Sequence, residues 1–115
     1  MRTELTPDQR ELRDDVRTFA REEIRPRAIE LDRNEEYPAE ILDELGDRGL
    51  TGLTLPAEVG GRGEGLVELA LVTEELSAAL MPVASALALH LGVATVVERF
   101  GTDRQYEELL PEMAS

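Results

Sequence analysis

With 115 residues, of which 42% are apolar, the chain is long enough to bury the core of one domain. Aromatic residues make up only 3%, so the core must consist of Leu, Val, Ile and Ala, which favours packed helices over a sheet. The absence of cysteine excludes disulfides and thiol catalysis, one histidine is too few for an imidazole-based metal site, and a net charge of −13 disfavours nucleic acids and anionic membranes.

The first predicted helix begins at a capping box, in which Thr6 caps the first turn, Pro7 takes the first helical position and Gln9 reaches back. Steps of three and four residues then mark one buried stripe. That stripe consists of Leu12, Val16, Phe19, Ala20, Ile24, Ala28 and Leu31. Because Pro26 lies inside the pattern and removes a backbone donor, we expect a kink or break there, with helix resuming to about Arg33.

A second, shorter helix is expected from Pro38, with Ile41, Leu42 and Leu45 inward and Gly46 or Gly49 ending it. Residues 50–56 alternate apolar and small polar residues, which predicts a brief extended segment. That segment has no partner strand in the chain.

A glycine-dense loop at residues 58–65 leads to a third helix. Its predicted inward residues are Leu66, Leu69, Ala70, Thr73, Leu76 and Leu80, and its predicted outward residues are Glu68, Glu74 and Glu75. The fourth helix runs from about Pro82 to Phe100 and is apolar nearly all round, which is typical of a central helix covered on every side. A membrane-spanning helix over residues 80–97 is the alternative.

The last helix follows a second capping box, Thr102 to Gln105, and turns Tyr106, Leu109, Leu110 and Met113 inward. The order of elements predicts an all-α protein, an orthogonally packed helical bundle of about five to six helices, with residues 1–115 forming one domain. The first twelve residues are charged and lack the apolar core of a signal peptide, so we expect a cytoplasmic protein.

Three features are candidates for chemistry. The glycine loop lacks the spacing of a phosphate-binding loop and carries Glu58 and Glu64, so we predict a structural turn. Consecutive helical residues such as Glu74 and Glu75 do not face each other, which favours solvated or Arg-paired carboxylates over an acid–base pair. His90 is interpreted as a partly buried imidazole bonded to backbone or a neighbour, with a place near a substrate channel as the alternative. We predict no metal site.

In combination, the loop and its flanking helices resemble the N-terminal domain of the acyl-CoA dehydrogenases. The matching pieces are Thr6 with Gln9, residues 19–24 leading to Pro26 and Ala28, residues 45–50, the Pro-Ala-Glu-Val-Gly-Gly-Arg-Gly loop at 56–63, residues 74–76, Phe100-Gly101-Thr102 with Gln105, and residues 110–115. Each piece is weak alone, but their order and spacing cover nearly the whole chain.

The resemblance implies an FAD-dependent oxidoreductase that dehydrogenates acyl-CoA at its α and β carbons. It also implies that this domain supplies part of the acyl-pocket wall and packs against a β-domain and a C-terminal helical domain that this chain lacks. The family's flavin contacts and catalytic glutamate usually lie beyond the position of Ser115, so we expect no catalytic or cofactor-binding residue here. The implied partners are acyl-CoA, the remaining dehydrogenase domains or a homo-oligomer, and an electron-transfer flavoprotein.

Aligned on the family's motifs, the pocket-lining stretch falls on residues 84–91. Ala84, Leu87, Ala88 and Leu91 fit helical spacing on one face and are the expected substrate-binding residues. Some family members carry a polar residue where Leu87 stands, which leaves the preferred acyl chain open, and an ordinary core position is the alternative for Leu87. The rival function is a non-enzymatic helical interaction module, because a short chain with a large apolar face would associate with a partner.

Overall fold

The computed structural model describes residues 4–115, so the first three residues of the charged N-terminal stretch lie outside it. The elements are α1 Pro7–Phe19, a π turn Ala20–Ile24, α2 Arg25–Arg33, α3 Ala39–Asp47, α4 Leu66–Ala79, α5 Met81–Phe100 and α6 Asp103–Ala114, with two short 3₁₀ turns between α3 and α4. No strand occurs in the described residues. The all-α prediction is confirmed.

Both predicted capping boxes are present. The Thr6 hydroxyl accepts from the Gln9 backbone N–H at 3.1 Å while the Gln9 side chain accepts from the Thr6 N–H at 2.9 Å. Thr102 and Gln105 repeat the same two bonds at the start of α6. These side chains satisfy backbone donors that the first helical turn leaves without partners, and they therefore fix where α1 and α6 begin.

The helix passes Pro26 without a break. A widened π turn at Ala20–Ile24 precedes the proline, and the Arg25 N–H closes it by donating to the Ala20 carbonyl, five residues back. Pro26 then stands in the first turn of α2, where a missing N–H costs little. The predicted distortion therefore takes the form of a widened turn, and the helix continues to Arg33 as expected.

The prediction of an extended segment at residues 50–56 is wrong. The backbone changes direction at Gly49, which has a φ of 76°, and Leu50–Gly52 then forms a 3₁₀ turn. Leu50, Leu53 and Leu55 are all fully buried. A compact coil can therefore turn all three leucines inward, whereas a strand would alternate its faces.

The described chain forms a flat body of 42 × 38 × 21 Å. Its thickness equals about two helix diameters. The main core joins α1, the π turn, α3, α4 and α5, and a smaller cluster attaches α6 to the C-terminal half of α5 and to the loop before α4. In a body two helices thick, no helix is enclosed on every side.

The prediction that α5 is covered on every side is therefore wrong. Val83, Ala84, Leu87, Leu91 and Ala94 are buried along one face. The opposite face carries an exposed apolar ridge, namely Met81, Leu89, Val93, Val96 and Phe100. By length and composition α5 is also the helix of the described part that could cross a membrane, a property that it shares with core helices of soluble proteins.

The face predicted for α4 is wrong in part. Val72 and Leu76 are its buried residues, while Leu66 and Ala70 are exposed. Because α4 is apolar over most of its surface, its periodicity defines the inward face poorly. Of the glutamates expected outside, Glu68 is half-buried and accepts a 3.0 Å hydrogen bond from the Gln9 amide. That bond is the leading cause of the lowered pKa of Glu68.

Candidate functional site

The residues expected to form a pocket lie where α5 crosses α4. Ala84, Leu87 and Leu91 are 6%, 2% and 1% exposed, whereas Ala88 is exposed between the two helices. The four positions share one side of α5, as their spacing predicts. Their environments nevertheless differ, because α4 covers only part of that side.

Two concave surfaces meet at Ala88. The larger is a groove of about 420 Å³, lined on α5 by Ala88, Leu91, Gly92, Thr95, Glu98 and Arg99, on α4 by Leu66 and Leu69, and by Thr54, Glu64 and Gly65. The second is an open trough of about 340 Å³ that includes Ala84, Met81, Ser85 and Ala88 on α5 and Ala70, Thr73, Glu74 and Ser77 on α4. We call the two together the α4–α5 groove.

Leu87 does not line the α4–α5 groove. It belongs to the main hydrophobic core, with Val83 and Leu91 on the same helix and Leu76 on α4. Its side chain therefore lies behind the surface that Ala84 and Ala88 expose. Gly92 and Thr95 also line the groove but were not predicted. Helical spacing could have identified them, since they follow Ala88 by four and seven residues and so lie on the same face of α5.

His90 is partly buried and bonded to backbone, as predicted, and it lies on another side of α5 from the groove. Its Nε2 lies 3.0 Å from the Thr51 carbonyl oxygen and 2.7 Å from the Met113 carbonyl oxygen. Because both neighbours are acceptors, Nε2 must carry a hydrogen and donate it to both. The imidazole thus ties α5 to the Leu50 turn and to the end of α6, and it faces away from the α4–α5 groove.

Glu74 and Glu75 do not form an acid–base pair. The Glu75 carboxylate accepts from Arg17 Nε at 3.1 Å and Nη2 at 2.7 Å, which confirms the Arg-paired interpretation. Glu74 lines the trough beside Ala84 and Ala88 and is exposed. Among residues 4–115, no group of three His, Asp or Glu side chains could hold a metal ion.

The glycine loop is a tight structural turn, as predicted. Gly60 and Gly63 have φ values of 92° and 66°, a region that favours glycine. A Cβ at Gly61 would stand 2.2 Å from the Leu55 carbonyl oxygen, so the two chain segments approach too closely for any other residue. The loop also holds α6, because the Tyr106 hydroxyl donates to the Glu58 carboxylate.

The bond to Glu58 raises the pKa of Tyr106 to about 12, compared with an ordinary value of 10.0. Because the folded state keeps the phenol proton to higher pH, the stabilisation from this bond is present below pH 10 and is lost as the pH rises from 10.0 to about 12. In a Tyr37→Phe background, phenolate absorbance reports Tyr106 alone, and we expect its midpoint near 12. Adding Glu58→Gln should lower that midpoint towards 10; an unchanged midpoint would exclude Glu58 as the cause.

Comparison with known proteins adds independent findings. Residues 6–115 match the family model described as acyl-CoA dehydrogenase, N-terminal domain. Acryloyl-CoA reductase (NADH) of Anaerotignum propionicum is 37% identical over 109 residues, which are 95% of this chain and 28% of that protein. An acyl-CoA dehydrogenase of Bacillus subtilis is 33% identical, over 96% of this chain and 30% of that protein.

Solved structures are similar over the same length. Glutaryl-CoA dehydrogenase from Mycobacterium smegmatis superposes with a TM-score of 0.89 and 33% identity, over 96% of this chain and 29% of that one. A chain in the structure of the electron transferring flavoprotein of Acidaminococcus fermentans superposes with a TM-score of 0.93 and 30% identity, over 99% of this chain and 30% of that one. The chain thus spans between 28% and 30% of the length of these proteins.

Proposed function

The chain belongs to the acyl-CoA dehydrogenase family, as its N-terminal domain, and from that premise we propose that its α4–α5 groove forms one wall of an acyl-binding pocket. The complete enzyme would be an FAD-dependent oxidoreductase that removes hydrogens from the α and β carbons of an acyl-CoA thioester. The two relatives described above, an acryloyl-CoA reductase and an acyl-CoA dehydrogenase, are both named for an acyl-CoA compound.

The observation that carries the proposal is an apolar strip that centres on the exposed methyl group of Ala88. Ala84 and Leu91 border it on α5, although they are only 6% and 1% exposed, and Leu69 lines it from α4. Residues 84–91 extend about 10 Å along the helix axis. Such a strip can shelter methylenes of an acyl tail, and each one buried contributes about 0.8 kcal/mol.

Leu87 has a supporting role in this proposal. Its side chain is buried behind the strip and packs in the core with Leu91 and Leu76. It therefore fixes the position of the α5 backbone from which the two alanine methyl groups project. We propose Ala84, Ala88 and Leu91 as contact residues of the acyl tail and Leu87 as the residue that positions them.

The α4–α5 groove does not fit a flavin. The charged side chains of the α4–α5 groove are Glu64, Glu74, Glu98 and Arg99, an excess of negative charge that would repel the flavin's phosphates. We propose that FAD binds to other domains of the enzyme. This chain then provides shape and apolar surface, and no residue of it takes part in proton or hydride transfer.

The proposed partners follow from the exposed apolar ridge of α5. Leu89 and Phe100 are 71% and 82% exposed, an unusual state for large apolar side chains in a row on one helix. We propose that remaining dehydrogenase domains or a second copy of the enzyme cover this ridge. We further propose a cytoplasmic enzyme that passes electrons to an electron-transfer flavoprotein.

The substitution Ala88→Leu tests the acyl wall in the protein that carries this domain. The larger side chain would displace up to three methylenes of the tail, at about 0.8 kcal/mol each. We expect kcat/KM for long-chain acyl-CoA to fall by about tenfold or more, and that for short-chain acyl-CoA to stay within about twofold. The measurement is the initial rate of dehydrogenation with an artificial electron acceptor across a series of acyl lengths.

Ala39→Leu is the matched control, because Ala39 is exposed at the start of α3 and lies outside the α4–α5 groove. It should leave the chain-length profile unchanged. Equal losses at all chain lengths for Ala88→Leu would contradict a tail-binding wall. If the protein turned over no acyl-CoA at all, the rival interpretation as a non-enzymatic helical interaction module, which the bare ridge also supports, would replace the enzyme.

A further inference from the structure

Three arginines line a second, smaller groove on the far side of α4 from α5. The groove measures about 180 Å³. Its lining consists of Arg17, Arg21, Arg25, Glu75, Ala20, Ala78 and Ala79. It shares no residue with the α4–α5 groove, so a ligand could bind in it without occupying the proposed acyl site.

The π turn brings the three arginines to one face. In an α-helix, residues four apart overshoot a full turn by about 40°, so positions 17, 21 and 25 would wind progressively round the axis. The π turn at Ala20–Ile24 closes over five residues instead of four, which holds one more residue per turn and removes part of that excess. All three side chains consequently reach the same groove.

The carboxylate in this groove is already engaged. Glu75 accepts both of its described hydrogen bonds from Arg17, through a single oxygen. These contacts are the main cause of the raised pKa of Arg17, and the charges of Asp14 and Glu74 act more weakly in the same direction. Glu75 therefore neutralises Arg17 and leaves the rest of the groove cationic.

Arg21 and Arg25 remain available. Within residues 4–115 neither makes an ion pair, although the sequence contains 25 acidic residues. Glu22 and Glu23 follow Arg21 in the chain and are exposed, but they do not line the groove. The other lining residues are Ala20, Ala78 and Ala79, whose small side chains take up little of the space between α4 and the π turn.

We propose that this groove binds a phosphoryl group between Arg21 and Arg25. A guanidinium presents paired N–H donors that match phosphate oxygens, and two of them can share the charge of one dianion. The volume of 180 Å³ is below the roughly 300 Å³ at which pockets for whole organic ligands begin. The groove therefore accepts inorganic phosphate or the terminal phosphoryl group of a larger phosphoester, and not a complete nucleotide.

Titration of the full chain with inorganic phosphate, followed by the backbone amide resonances, tests the site. With ionic strength held constant by chloride, we expect saturable shifts at Ala20, Ala78 and Ala79 and a weak Kd, on the order of millimolar or above, because exposed ion pairs contribute little each. Glycerol phosphate distinguishes the source. Tighter binding than inorganic phosphate would identify a phosphoester ligand, and weaker binding would identify the free anion.

Arg21→Gln and Arg25→Gln should each weaken phosphate binding by about fivefold, and the double variant by more than about tenfold. Arg33→Gln is the control, because Arg33 is exposed on α2 outside the groove and should leave the Kd unchanged. Phosphate shifts no larger than those of chloride at equal ionic strength would overturn the site. So would an Arg33→Gln variant as impaired as the two groove variants.

Discussion

Replacing Leu87 with alanine is expected to lower the free energy of unfolding by about 2–5 kcal/mol, the range for removing a buried leucine from a core. The side chain is 2% exposed and packs with Val83, Leu91 and Leu76, so the truncation leaves a cavity that α4 and α5 cannot close without losing other contacts. Chemical denaturation followed by circular dichroism measures the effect.

Leu89→Ala is the matched control on the same helix. Leu89 is 71% exposed on the apolar ridge, and its truncation should change stability by less than about 0.5 kcal/mol. The comparison also separates the two interpretations of Leu87. A Leu87→Ala variant as stable as Leu89→Ala would indicate that Leu87 faces open space like a pocket wall, contrary to its packing.

Gly61→Ala should destabilise the chain by about 3 kcal/mol or more, at the upper end of overpacking effects. An added Cβ would lie 2.2 Å from the Leu55 carbonyl oxygen and 2.5 Å from its carbon, and backbone cannot give way as a flexible side chain can. The same turn holds the 2.9 Å bond from the Gly61 N–H to the Pro56 carbonyl. Because Leu55 anchors α6, thermal unfolding and hydrogen exchange in α6 should both report the change.

Gly92→Ala provides the opposite outcome. Nothing lies within 4 Å of a Cβ at Gly92, which stands in the middle of α5. Alanine there should raise stability by about 0.5–1 kcal/mol, because glycine loses more conformational freedom in a helix. A Gly61→Ala variant as stable as Gly92→Ala would contradict the close approach of the loop to the Leu55 carbonyl.

The sequence predicts features whose causes are local. The capping boxes at Thr6 and Thr102 depend on residues three apart in the chain, and both form as expected. The buried stripe of α1 was equally predictable, because charged residues separate its apolar positions and leave one possible inward face. Gly49 was likewise predictable as a helix end, because glycine adopts its φ of 76° more readily than any other residue.

Features that depend on packing between distant segments could not be predicted. The alternation at residues 50–56 suggested a strand, but whether Leu50 and Leu53 both turn inward depends on the helices that pack around them. The inward face of α4 was ambiguous, because apolar residues surround that helix and only its neighbours select Val72 and Leu76. Similarly, composition makes α5 look enclosed, whereas its exposure depends on how many layers pack around it.

The candidate site shows the same division. Helical spacing alone places Ala84, Leu87, Ala88 and Leu91 on one side of α5, but their association with an acyl tail came from the family resemblance. Which of them lines the groove depends on where α4 crosses α5. That crossing puts Ala88 at the surface and Leu87 behind it.

The widened turn before Pro26 has a consequence for insertions and deletions in this stretch. Because the π turn already accommodates one extra residue, loss of one residue from Ala20–Ile24 would restore ordinary α-helical geometry with little net rotation of α1 against α2. Phe19 and Ile24 would then follow the spacing of one α-helical turn and would still share the buried face. An added residue would instead rotate one side by about 100° against the other, so related chains should tolerate a deletion here far better than an insertion.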